Sequence, residues 1–124
     1  MLTKEQILKA DDLQSEDVFV PEWGDTVRIR TLTGAELDAF ETSFVCKGKA
    51  DMRNIRARLV ARCLVDVDGN RLFSDAEIEA LGGKSGPALD RLYSVATRLN
   101  PRSEQDQKEL EKNSEAVHAD SISD

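Results

Sequence analysis

The sequence predicts an α+β fold, mostly α-helical, in which an N-terminal β-hairpin packs on about four helices and a disordered, acidic C-terminal tail follows. Three observations carry this expectation. Two β-prone runs, V-F-V-P-E-W at 18–23 and T-V-R-I-R-T-L at 26–32, flank Gly24-Asp25, which is the pattern of a hairpin. From Leu37 to Leu99 apolar residues then recur mostly at helical spacing. Beyond Pro101 the chain is polar, with Leu110, Val117 and Ile122 as its only large apolar residues, too few to order a segment by burial alone.

Each element has its own justification. Residues 3–10 read as a short helix capped by Thr3. In the hairpin, Val18 and Val20 share one face, and Val27 and Ile29 alternate with Arg28 and Arg30. Pro21 cannot donate to a ladder, so the first strand is an edge strand or ends there. Trp23, at the turn, is expected to fold back over the hairpin. T-G-A-E at 33–36 is a capping box, with Leu32 and Leu37 as its hydrophobic staple. The helix it opens carries Leu37, Phe40, Phe44 and Val45 to about Cys46, where K-G-K-A breaks the run.

Asp51 is expected to cap a second helix with Met52, Ile55, Leu59 and Cys63 on one stripe. D-G-N-R at 68–71 marks a turn, giving a short second hairpin at 65–73 that adds to the sheet. S-D-A-E at 74–77 is a second capping box, stapled by Phe73 and Ile78. Gly82-Gly83 stops that helix. Pro87 suits the first turn of the last one, whose stripe is Leu89, Leu92, Tyr93, Ala96 and Leu99. Asn100-Pro101 closes it. The organisation is one compact domain over 1–101 and a polar helical or disordered tail over 102–124, with a core around Leu37, Phe40, Phe44, Ile55, Leu59, Leu89, Leu92 and Leu99.

Composition narrows the function. The chain has 124 residues, 33% of them charged, and a net charge of −7. That balance works against general nucleic-acid binding. No stretch reaches the roughly 18 apolar residues of a membrane span, and the N-terminus lacks the apolar core of a signal peptide. Cys46 and Cys63 have no partners at metal-ligand spacing and read as buried free thiols in a reducing compartment. The only histidine, His118, falls in the tail, so no Ser/His/Asp or Cys/His set can be assembled in the core. G-G-K-S at 82–85 lacks the leading glycine and the strand of a phosphate loop. The chain is not expected to be an enzyme or to carry a cofactor.

Two constellations remain. D-V-D-G-N-R-L-F-S-D-A-E at 66–77 matches a calcium loop at Asp66, Asp68, Asn70, Ser74 and Glu77. Against that, Arg71 stands where the loop requires glycine, and no second loop exists to pair with it. A turn followed by a helix cap explains the same residues and is the preferred reading; a small calcium-responsive module is the alternative. The other constellation is a set of arginines. Arg53 and Arg56 border one edge of the second helical stripe, and Arg58 and Arg62 the other. They read either as solvated charges paired with Glu36, Asp38 or Glu41, or as a docking surface for an acidic helix of another protein.

The order of parts also carries a resemblance. V-P-E-W-G, V-R-I-R-T-L-T-G-A-E, N-I-R-A-R-L-V-A-R-C-L-V-D-V-D-G-N-R-L-F and A-L-D-R-L-Y, over roughly residues 1–112, resemble the tail assembly chaperones of long-tailed bacteriophages of the siphophage type. The resemblance implies a non-enzymatic protein of the infected host's cytoplasm, absent from the finished virion. Its implied partner is the tape measure protein, kept soluble while tail tube subunits polymerise around it. The tail tube protein and further copies of the chain are the other partners it suggests. A phage regulatory or other structural role is the remaining alternative. In such proteins the D-x-D-G-x-R-L-F segment looks like a recurring structural turn.

Overall fold

The computed structural model describes residues 1–101; the expected tail, with His118, lies outside the described residues. The elements run α1 (Lys4–Lys9), β1 (Ser15–Val20), β2 (Asp25–Arg30), α2 (Gly34–Thr42), β3 (Val45–Cys46), β4 (Lys49–Ala50), α3 (Ile55–Cys63), β5 (Leu64–Val65), a 3₁₀ turn (Asp75–Glu77), α4 (Ile78–Gly82) and α5 (Gly86–Leu99). The α+β, mostly helical architecture is as the sequence predicts.

The hairpin pairs antiparallel with Val18 opposite Val27 and Val20 opposite Asp25. Alternation turns Val18 and Val20 inward and leaves Phe19 on the opposite face. β1 is an edge strand and Pro21 falls immediately beyond it, as a missing N–H requires. β5 adds to the other side of β2, Arg28 opposite Val65 and Ile29 opposite Leu64, so the three-stranded order is β1-β2-β5. The chain then returns through a tight turn. Asp66 N–H donates to the Asn70 carbonyl at 2.8 Å, Gly69 supplies a φ of +86°, and Val65 bridges to Arg71. The second hairpin expected at 65–73 therefore extends the sheet.

Both expected capping boxes form. The Thr33 hydroxyl accepts from Glu36 N–H at 3.1 Å, and the Glu36 carboxylate accepts from Thr33 N–H at 2.9 Å. The Glu77 carboxylate accepts from the N–H and the hydroxyl of Ser74 at 2.9 and 3.1 Å. At α5, the Ser85 hydroxyl accepts from Ala88 N–H at 3.2 Å and Pro87 sits in the first turn.

Two boundaries differ from expectation. α2 ends at Thr42 rather than near Cys46, because Lys47 (φ +53°) and Gly48 (φ +77°) close a two-residue hairpin between β3 and β4. Val45 is consequently exposed. Asp51 caps no helix: α3 starts at Ile55 after Asn54, itself left-handed, and the Asp51 carboxylate accepts from Arg53 instead.

α3 is the centre of the molecule. Every residue from Ala57 to Cys63 is buried, with α5, α4, α2 and the sheet around it. The core joins Val20, Ile29 and Leu32 to Phe40, Phe44, Leu59, Val60, Leu64, Leu81, Leu89, Leu92 and Ala96. Leu37, Ile55 and Leu99 pack against it half-buried. Phe40 and Phe44 meet edge to face with centroids 4.8 Å apart, a favoured aromatic geometry. α5 is held to the hairpin at three levels: Arg91 to Glu22 at 2.6 Å, Arg98 to Glu16 at 2.6 Å, and Leu32 N–H to the Asn100 side-chain oxygen at 2.7 Å.

Candidate functional site

The four arginines singled out from the sequence separate into two classes. Arg53 and Arg56 lie at the surface, with side chains 84% and 55% exposed. Arg53 bonds Asp51 at 3.0 Å, and Arg56 reaches Asp90 on α5 at 3.2 Å. Arg58 and Arg62 are buried, at 7% and 6% exposure, and so cannot present the second border of a docking surface. The reason is the placement of α3: a helix enclosed on almost every side has no outer edge on which to display them.

Burial makes these two cations structural. Arg58 donates to the carbonyls of Ser43, Asp51 and Arg53, each at 2.7 Å, and lies over the Phe44 ring at 5.8 Å. It ties the end of α2 to the segment leading into α3. Arg62 donates to the Arg58 carbonyl at 2.9 Å, sits over Phe40 at 5.9 Å and approaches Asp75 at 3.7 Å. Burial lowers the pKa of both guanidiniums, but from so high a value that both remain cations. The arginines' partners include Asp51, Asp75 and Asp90. Glu36 instead forms a two-point pair with Arg30 at 3.0 and 2.8 Å. Burial alone would raise its carboxyl pKa, yet the bonds from Arg30 and Thr33 outweigh it and hold the value below the usual range.

The Asp66–Glu77 stretch has the geometry of a turn and a cap. The Asp66 carboxylate accepts from Asp68 N–H at 2.8 Å and Asn70 N–H at 3.0 Å. Arg71 lies in a β-bridge and donates to Asp75 at 3.0 Å, while Glu77 is engaged with Ser74. Among the described residues no three His, Cys, Asp or Glu side chains converge as a metal site. Ser85 of the G-G-K-S segment caps α5. Cys63 is fully buried, and burial pushes its thiol up to about 12, which leaves no thiolate for nucleophilic chemistry at neutral pH.

Sequence reasoning missed the apolar surface. Leu2, Ile7 and Leu8 on and beside α1, Phe19 on β1, and Val67 and Leu72 around the turn are exposed, and α1 buries no residue at all. Phe19, Val67 and Leu72 lie on the sheet face opposite the helices. The alternation of strand residues signals that face, but only once β5 is known to pair with β2. No described helix is long and apolar enough to cross a membrane.

Comparison with known proteins is consistent with this arrangement. No curated protein matches the chain. Among solved structures it is similar to the bacteriophage HK97 tail assembly chaperone, with a TM-score of 0.58 and 24% identity over 81% of this chain and 95% of that one; at that identity the likeness concerns the fold. The model of the phage tail assembly chaperone family matches residues 3–113, nearly the whole length, and the chain belongs to that family.

Proposed function

We propose that the protein binds the tape measure protein and keeps it soluble in the host cytoplasm during tail tube assembly, without itself catalysing a reaction. The observation that carries this reading is the exposed apolar surface on a chain of net negative charge. Leu2, Ile7, Leu8, Phe19, Val67 and Leu72 are uncovered on a chain of net charge −7. Val67 and Leu72 line one trough and Phe19 lies on the adjoining strand face, and apolar side chains left together on a surface mark a place that meets a partner. The surrounding charge gives any covered partner the solubility that its own apolar stripes deny it. Arg53 and Arg56 are the exposed members of the arginine set; each is paired with a surface carboxylate, Asp51 and Asp90, and exposed pairs of this kind are weak enough to exchange for acidic residues of a partner.

Co-purification tests this. A tagged chain co-expressed with the tape measure protein of the same phage is expected to retain it. Arg53→Glu with Arg56→Glu is expected to weaken retention several-fold while circular dichroism and melting are preserved, since rim charges tune association more than fold. No retention by the wild-type chain would overturn the reading. Equal retention by the double variant would remove the arginine edge from the contact.

A further inference from the structure

We infer that the outer face of the three-stranded sheet is the docking surface, and that its occupant is an amphipathic helix of the partner whose apolar stripe is flanked by lysine or arginine. The inference rests on the tape measure reading and specifies the partner segment and the place where it binds.

The fold itself leaves this face unfinished. A β-sheet is stable when its apolar face is covered by a second layer. Here α3 and α5 pack on the sheet, while on its other face Asp17, Phe19 and Thr26 stay exposed. That outer face is concave. An open trough of about 420 Å³ is lined by Asp17, Thr26, Arg28, Val65, Val67 and Leu72. Phe19 extends the same face on β1, where strand alternation places it beside Asp17 and opposite Thr26. Phe19, Val67 and Leu72 are 58%, 84% and 48% exposed. Three large apolar side chains are thus uncovered around one trough.

Charge selects the occupant. Arg28, the cation of the trough, is already bound to Asp17 through two bonds, at 2.8 and 3.3 Å, so that pair adds little net charge. Asp66, in the trough wall, and the exposed Asp68 beside it are carboxylates without a cation among the contacts described, since Asp66 accepts only from backbone amides. The uncompensated charge next to the apolar floor is therefore negative. A segment that inserts apolar side chains there and places basic residues two to four positions away satisfies both requirements. A helix does so because positions i, i+3, i+4 and i+7 share one face.

The test uses the full chain with three substitutions. Val67→Asp alone, at a position too exposed to disturb the fold, and Val67→Asp with Leu72→Asp are expected to reduce tape measure retention about tenfold, as loss of central apolar anchors does. Asp68→Lys is expected to weaken retention and flatten its dependence on salt. A photo-crosslinking amino acid at position 67 is expected to mark partner segments with basic residues flanking an apolar helical stripe. Wild-type retention with undiminished retention by both Val67 variants would overturn the inference while leaving the proposed function standing. Crosslinks to an acidic partner segment, or to α1 of a second copy, would also overturn it. Failure of the wild-type chain to retain the partner at all would instead fall on the proposed function.

Discussion

Arg58 shows how far a residue's role depends on what surrounds its helix. Its position, one turn from Arg62, reads as the charged border of an apolar stripe, yet its guanidinium is buried and spans three carbonyls at 2.7 Å. A planar fork can meet acceptors in three directions; an ammonium on a flexible stem cannot meet all three without leaving some buried carbonyls unpaired. Arg58→Lys is therefore expected to cost about 2 kcal/mol or more in chemical unfolding, whereas Arg56→Ala, removing an exposed pair, is expected to cost under about 1 kcal/mol. Equal effects of the two substitutions would contradict the assignment of Arg58 to the structural framework. The sequence contains no local sign separating Arg56 from Arg58, because burial of α3 is decided by the sheet, α4 and α5 together.

At the level of elements, what is local was legible and what is assembled was not. Thr33 with Glu36, Ser74 with Glu77, and Pro87 each announce a helix start locally: both capping boxes form and Pro87 sits in the first turn of α5. The early end of α2 was hidden because Phe44 and Val45 continue its apolar run; the left-handed pair Lys47 and Gly48 bends that run into a hairpin. The outward placement of Val67 and Leu72 depends on β5 joining β2, a long-range pairing that no local pattern reports. The Asp66 turn belongs at this scale. Its carboxylate holds two amides that shape the return strand, so Asp66→Ala is expected to destabilise the protein by about 1 kcal/mol. The loss should be the same in chelator and in millimolar calcium. A rise in the wild-type melting temperature with calcium that disappears in Asp66→Ala would instead favour an ion-binding loop.

For the whole molecule, a small helical core carries a sheet with one face covered and one face open, on a chain dense in negative charge. Such a body packs its core around α3 and α5 and leaves apolar surface to share with another protein. Membership of the phage tail assembly chaperone family gives that surface its proposed use: the uncovered side chains screen the apolar helices of the tape measure protein, and the acidic exterior keeps the complex dispersed. The most direct measurement is the fraction of tape measure protein that stays in the supernatant after high-speed centrifugation of cells, at matched expression, with and without this chain. The account predicts that most of it is soluble with the wild-type chain and that most pellets without it. An unchanged soluble fraction in the two conditions would contradict the central claim.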